Sequence, residues 1–540
     1  MPSARVIVLR FGLVLAFCLA LAFAQFRETL RPSFAATLEL VTRDANSGRT
    51  VPARVYLFKD GRPFRFSPVD SLLALRVDLF YREVLWRRAA DPATLEITAN
   101  GESHFLLLRG TAAFDLPAGR YRAEAYRGLF YKPAVQEFEL RAGGKQRIEL
   151  DLAPLTEHEQ WLSADDHIHL VRHREDDPVF LGWIDGEDLS VGNFLQLQRQ
   201  QDAAMQYGFG EAAEARMEGR SIRSGMEARS HFYGHVNLLG PREILRPLSI
   251  GEVYANSREA YPFPTVLFAR ARSLGATVGY AHFDGSQKNS TLLMDLALGS
   301  IDFIEVFQFG VLKTESWYEL LNAGFRVTGI AGSDFPVPLN NRKPWPRSLP
   351  LLGPERTLVK AAPKPSAYEA WAAGVRIGRV VVSNGPLLDL TVDGSAPGAV
   401  INWSGVQKPV EGEAVARYHR PLEKLEIIVN GRTVASIAGE GRHEVRLPFR
   451  FNLEESSWVA ARATSASQEG EPQIQAHANP VYLLREGRHV SVNGARRALL
   501  LRWQQQAGYY RSPDLEFSER RHREELLSNV EKTLAVLGSE

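Results

Sequence analysis

The chain has 540 residues, 45% of them apolar, 24% charged and 10% aromatic. That balance excludes a disordered tail and a membrane bundle, and the length predicts about three or four domains of roughly 100–200 residues. With 64 Lys and Arg against 63 Asp and Glu, no global basic field exists to hold a polyanion, so no nucleic-acid partner is expected.

The single cysteine, Cys18, lies in FGLVLAFCLALAFA, a 14-residue apolar run that follows Arg5 and Arg10 and ends in Ala22-Phe23-Ala24. The run is shorter than the ~20 residues of a membrane span. Its basic start and A-x-A ending predict a signal peptide over 1–24, cut before Gln25. The expected product is exported, periplasmic or secreted, with no stable membrane span after cleavage. An uncleaved anchor and a lipoprotein attached through Cys18 are the alternatives. Cleavage would leave no thiol for a disulfide or a metal, so the chemistry falls to imidazole, carboxylate and hydroxyl groups.

Over 25–153, runs such as RYRAEAY (120–126), EFEL (137–140) and RIELDL (147–152) alternate apolar and polar residues. Turn signals at Asp60-Gly61, Pro117-Ala118-Gly119 and Gly143-Gly144 separate such runs, and together they predict a small β-sandwich. Over 154–385, short apolar strands alternate with helical stretches, which predicts α/β architecture with a parallel sheet or barrel. Seven candidate strands lie near 161–170, 189–195, 221–227, 234–240, 276–283, 302–309 and 325–335. Helices are expected over 264–274 and 316–323, stopped by Gly275 and Gly324. Alternation returns over 386–485, with Asn430-Gly431 as a hairpin turn, and predicts a second sandwich. A helical segment over 486–540 closes the chain, with Leu526, Val530, Leu534 and Leu537 on one face.

Seven of the 13 histidines fall between His158 and His282. His167 and His169 are two apart, so on a strand both imidazoles leave one face and can converge on one ion. Taken alone, the pair fits two satisfied or surface histidines better than a metal site. Glu227, His235, His282 and Asp334 stand at the ends of other candidate strands. The C-terminal ends of barrel strands form one face, where such side chains meet around a single site. Imidazole and carboxylate without thiolate suit zinc, manganese or iron. The tryptophans Trp161, Trp317 and Trp371 are expected in the core.

Several motifs in order resemble the PHP (polymerase and histidinol phosphatase) superfamily, most closely its carbaryl-hydrolase-like metallohydrolase branch, over about 161–400. They are Asp165-x-His167-x-His169, Gly225-Met226-Glu227, GHVNLLG with His235, Gly279-Tyr280-Ala281-His282, WYELLNAGFRVTGIAGSD with Asp334, and SNGPLLDLTVDGSAPG. The resemblance implies a distorted (β/α)7 barrel with one to three divalent transition metal ions, Zn, Mn or Fe. A carboxypeptidase-regulatory-like sandwich would precede it and an immunoglobulin-like sandwich follow it. The implied ligands are His167, His169, Glu227, His235, His282 and Asp334, with Asp165 orienting a ligand.

The sequence departs from the family pattern in three places. Pro336 replaces the histidine of a final D-x-H, Val191-Gly192-Asn193 stands where T-D-H is usual, and Arg229 stands where relatives can carry histidine. The implied activity is metal-dependent hydrolysis of phosphoester, carbamate or carboxylic ester bonds in a small molecule by a metal-activated water. Glu227, His235 and Arg229 are the candidate catalytic residues. His173 and His231 are further candidates for protonating a leaving group, and surface roles fit them equally. Other readings are a catalytically silent PHP-like module for carbohydrate or protein recognition, and an assembly component whose metal only stabilises the barrel.

Overall fold

The computed structural model describes residues 35–64, 71–77, 84–86, 93–99, 102–155, 160–199, 202–283, 290–337, 346–492 and 494–539. The expected signal peptide over 1–24 lies outside them, as do Cys18 and His158.

The N-terminal unit packs two sheets face to face. Strands Ala35–Asp44, Thr111–Pro117, Tyr131–Lys132 and Lys145–Pro154 form one sheet, and Ala53–Lys59, Gly119–Tyr126 and Ala134–Leu140 lie in the other. The alternation seen in sequence is the cause. Leu38 and Leu40, Phe114 and Leu116, Val55 and Leu57, and Tyr121 and Ala123 are buried in one cluster between the sheets, while Asp115 and Arg122 are exposed; on Ala53–Lys59 the intervening Tyr56 is buried as well.

The central unit contributes seven strands: β1 (Trp161–Ile168), β2 (Val191–Arg199), β3 (Arg220–Ser230), β4 (Gly234–Leu239), β5 (Thr277–Tyr280), β6 (Phe303–Gln308) and β7 (Thr328–Ala331). Their neighbours follow chain order. β1–β2, β2–β3, β5–β6 and β6–β7 pair in parallel. β4, however, runs antiparallel to both β3 and β5. This departs from the all-parallel expectation for a physical reason: only His231, Phe232 and Tyr233 join β3 to β4, and a parallel crossover needs a dozen or more residues. Between β7 and β1, pairing among the described residues is reduced to one parallel bridge, Ile168 with Phe335. The ladder alone therefore does not establish the expected (β/α)7 barrel.

Helices α1 (Asp177–Gly186), α2 (Pro264–Ser273), α3 (Leu292–Ala297) and α4 (Thr314–Asn322) connect strands of this sheet, and α5 (Ala367–Arg376) covers it. α2 starts with Pro264 in its first turn, where the missing N–H costs nothing. Ser366 caps α5 by accepting a hydrogen bond from the Glu369 N–H at 3.2 Å. Its apolar face buries Tyr368, Trp371 and Val375. At Gly374 a Cβ would stand 2.2 Å from Val359 Cγ1, so the helix rests directly on the strand Arg356–Lys360. Trp317 and Trp371 are fully buried and Trp161 is half-buried.

Strand Val380–Ser383 leads out of the central sheet. It pairs with Arg356–Lys360 on one side and Ile474–Ala478 on the other, so the larger sheet of the C-terminal sandwich continues the central one. The opposite sheet holds Leu387–Val392, Lys408–Arg417 and Glu444–Leu453. Two helices, α6 (Ala495–Arg511) and α7 (Arg520–Gly538), then return to the central unit, burying Trp503, Tyr510, Leu526, Val530 and Leu537. No helix among the described residues is long and apolar enough to cross a membrane.

Candidate metal centre

The C-terminal ends of β1, β3, β5 and β7 and the start of β4 bring the predicted residues together. The register of β1 against β2 shifts between Asp165 and Ile168. An extra residue of this kind re-aims neighbouring side chains, and here His167 and His169 place their Nε2 atoms 2.9 Å apart. On β3, Glu227 faces Asn237 of β4 across the ladder, and Arg229 faces His235. Glu227 is thereby central: its Oε2 lies 3.1 Å from His169 Nε2 and accepts from Arg229 Nε at 2.7 Å, while its Oε1 lies 3.1 Å from His235 Nδ1 and 3.2 Å from His282 Nε2. Asp334 Oδ1 stands 3.4 Å from His169 Nε2 and 3.6 Å from His167 Nε2, and its Oδ2 stands 3.9 Å from His282 Nε2.

All six predicted ligands are thus in one cluster, and Glu227, His167 and His169 are wholly withdrawn from water. His282 and Asp334 lie just past β5 and β7, each with φ 52°. A non-glycine residue in this left-handed region costs about 1–2 kcal/mol, a strain that collects at functional sites. Asp165 does not reach the cluster with its carboxylate. It accepts from the N–H groups of His167, Ser333 and Gly353 and from the Ser333 hydroxyl, tying β1 to the chain after β7. Asn193 donates to the Asp165 carbonyl at 3.2 Å. His173 and His231 are exposed, and His231 packs against Phe232.

Four contributors were not singled out from the sequence. Glu305 of β6 accepts from His167 Nδ1 at 3.0 Å and from the His282 N–H at 2.7 Å. Gln308 Oε1 lies 2.7 Å from His282 Nδ1. The Asn237 amide lies 3.2 Å from His167 Nδ1, and the Tyr254 hydroxyl 3.0 Å from His235 Nε2. The signal for the first two was a carboxylate and an amide inside the apolar strand DFIEVFQF, which is costly unless they are partnered. Tyr254 sits in a connection without a readable pattern.

These outer partners fix the inner faces of three rings. A carboxylate or carbonyl oxygen only accepts, so the nitrogen facing it carries the proton. Glu305 holds the proton on His167 Nδ1, the Leu195 carbonyl, 3.1 Å away, holds it on His169 Nδ1, and Gln308 Oε1 holds it on His282 Nδ1. In the neutral rings each Nε2 is then the nitrogen left to take a cation or a further proton, and it faces Glu227 and Asp334.

The surrounding carboxylates give this cluster a demand for positive charge. Burial lowers the pKa of His167, but Glu305, Asp334 and Glu227 outweigh it and raise the value to about 10. Burial would raise Glu227, yet Arg229 and His235 hold it well below the carboxylate range. Asp334 is likewise held down against burial by His167, His282 and His169. Asp334 Oδ1 is buried without a hydrogen-bond partner, and the buried His235 Nδ1 has the Glu227 carboxylate 3.1 Å away. Imidazole nitrogens and ionised carboxylates converging at one buried place, with Arg229 the one arginine donating to Glu227 there, fit a divalent cation bound by nitrogen and oxygen. The interlocking sets are His167, His169 and Asp334; Glu227, His235 and His282; and His167, His282 and Glu305.

No protein-family profile matches the chain. No curated protein matches it. A solved structure, the C-terminal domain of the shaft pilin spaA from Lactobacillus rhamnosus GG, is similar over 22% of this chain and 98% of its own, at 13% identity and a TM-score of 0.13. That likeness carries no argument about fold or activity.

Proposed function

We propose that this chain is an exported metal-dependent hydrolase of the PHP type, acting on a phosphoester, carbamate or carboxylic ester bond of a small molecule, with its central sheet forming a distorted (β/α)7 barrel. One observation carries the reading: the Nε2 lone pairs of His167, His169 and His282, each locked by an acceptor behind its ring, converge on Glu227 and Asp334. Such outer locking is what metal-binding histidines require. One to three ions of zinc, manganese or iron suit the donors. When bound, they would supply Lewis acidity, polarising an ester-like oxygen and acidifying water.

The chain's own residues do the rest. Glu227 presents one oxygen to His169 and the other to His235 and His282, which suits a carboxylate shared between two positions. Arg229 donates to Glu227 at 2.7 Å, keeping that carboxylate ionised and oriented. Glu305 and Gln308 hold the imidazoles from behind. The apolar side chains of β1, β3 and β6 exclude water from beneath the centre, where electrostatic interactions are strongest.

Elemental analysis of purified protein, followed by a panel of chromogenic phosphate, carbamate and carboxylate esters, tests the reading. Metal at one to three equivalents with turnover of one ester class is expected. Bound metal with no turnover across the panel would favour the silent recognition module instead.

A further inference from the structure

His235 is turned the opposite way from the other three imidazoles of the cluster. His167, His169 and His282 back their Nδ1 atoms against Glu305, the Leu195 carbonyl and Gln308 Oε1, and point Nε2 inward. His235 points Nδ1 inward, 3.1 Å from Glu227 Oε1, and backs Nε2 against the Tyr254 hydroxyl at 3.0 Å. The chemistry of the backing group differs too. A carboxylate or carbonyl oxygen can only accept, whereas a phenol hydroxyl both donates and accepts.

Tyr254 therefore fixes no single tautomer. When its hydroxyl donates to Nε2, the ring proton is on Nδ1 and faces Glu227 Oε1, 3.1 Å away. When its hydroxyl accepts from Nε2–H, Nδ1 presents a lone pair to the centre. The ring stays neutral in both states, and Tyr254 needs only to rotate its O–H. Its aromatic ring also meets the His235 ring edge to face, with centroids 5.4 Å apart and an interplanar angle of 73°.

Tyr254 lies on a helical turn, Glu252–Ala255, between strand Ser249–Ile250 and α2. The C-terminal helices hold this segment from outside. The Ala260 N–H donates to the Glu516 carbonyl at 2.8 Å. Glu259 Oε2 accepts from the Ser518 N–H at 2.8 Å and from the Ser518 hydroxyl. The Tyr261 and His522 rings stack at 3.5 Å and 2°. Tyr233, next to the start of β4, donates to the Ala260 carbonyl at 2.9 Å and packs against Tyr510 of α6. These contacts give a purpose to α6, α7 and the turn between them.

We propose that Tyr254 is a positioning residue whose hydroxyl lets His235 alternate between holding Glu227 and ligating the centre, and that the C-terminal helical hairpin fixes the segment that carries it. The first half rests on the metal-centre reading above.

Full-length protein loaded with zinc and challenged with excess chromogenic chelator tests that half. Tyr254→Phe keeps the ring and removes the hydroxyl. It should release zinc about 10–100-fold faster than the natural chain, the usual scale for losing an outer partner of a ligand. Tyr254→Ala should be no faster than Tyr254→Phe. Natural-rate release from Tyr254→Phe, or acceleration confined to Tyr254→Ala, would assign Tyr254 to packing and overturn its role. Failure of the unaltered chain to take up zinc would sink the metal centre along with it.

Amide exchange on the metal-free protein tests the clamp independently. The double variant Glu259→Gln with Ser518→Ala should speed exchange over 251–262 and leave α4 unchanged. Equal exchange over 251–262 in the two proteins would overturn the clamp.

Discussion

The Nε2 atoms of His167 and His169 lie 2.9 Å apart, and the acceptors behind the two rings leave both of these atoms without a proton of their own. Two lone pairs at that distance repel unless something positive stands between them. Glu227 and Asp334, both near the gap, add negative charge to it. In the metal-free chain an extra proton meets the need, consistent with the raised pKa of His167. A divalent ion would meet it more fully.

Replacing both residues therefore removes the reason for a cation. His167→Ala with His169→Ala should lower metal content by at least one equivalent per chain, read by elemental analysis, while the sandwiches keep their β-rich circular dichroism. Undiminished stoichiometry would place the metal elsewhere.

Asp334 and Pro336 separate a needed group from a tolerated loss. Asp334 faces three imidazoles, so Asp334→Ala should reduce metal content and abolish turnover of whichever ester the panel identifies. Pro336→His should leave metal content unchanged, because the donors present already close the cluster around Glu227. Full activity in Asp334→Ala would reject this mechanism.

The N-terminal reading is tested by terminal sequencing of the natural product. A start near Gln25 in a soluble periplasmic or secreted fraction is expected. A retained Met1 in the membrane fraction would support an anchor, and an acylated Cys18 a lipoprotein.

What sequence revealed of this site follows from which residues carry periodic or motif signals. His167, His169, Glu227, His235, His282 and Asp334 end or begin apolar strands, so their placement was legible from pattern and resemblance. The direction of β4 was also constrained by sequence, since the six residues between the expected strands 221–227 and 234–240 are too few for a parallel crossover, a constraint that the alternation of strands and helices alone does not carry. Glu305 and Gln308 looked like strand interior. Tyr254 reaches His235 only because segments far apart in sequence meet, Glu259 with Ser518 among them, and no local pattern records such a contact. The reversed ring of His235 depends on side-chain torsion and was not readable at all.

A pH test isolates the junction between the central unit and the C-terminal sandwich. His477 Nδ1 lies 2.8 Å from the Ala478 carbonyl, so Nε2 accepts from the Tyr318 hydroxyl of α4 at 2.5 Å. Burial pushes its pKa from 6.5 down to about 3. The unfolded chain thus binds a proton below pH 6.5 that the folded chain refuses. Stability is unaffected by this group above pH 6.5 and falls as pH drops towards 3, by about 1.4 kcal/mol per unit. His477→Gln should melt lower at pH 7.5 yet lose less stability between pH 7.5 and 5 than the natural chain. An identical pH slope in thermal melts of the two proteins would refute the assignment.

Gly332 sets the space in which His167 is held. A Cβ there would stand 2.2 Å from Asp166 Oδ1 and 2.9 Å from His167 Cβ, closer than packed atoms allow. Asp166 is wholly buried, with neither carboxylate oxygen hydrogen-bonded, and burial followed by the nearby Glu305 charge holds its pKa well above the carboxylate range. It therefore cannot swing away into water. Gly332→Ala should cost about 1–3 kcal/mol through overpacking and lower metal content by shifting His167 from Glu305. Asp166→Ala removes the obstructing oxygen, so the double variant should recover part of the loss in both melting temperature and metal content. That recovery is a coupling between neighbours, and a double-mutant cycle measures it directly. Additive effects of the two substitutions would show that Gly332 and Asp166 do not compete for the same space, and that His167 is positioned independently of both.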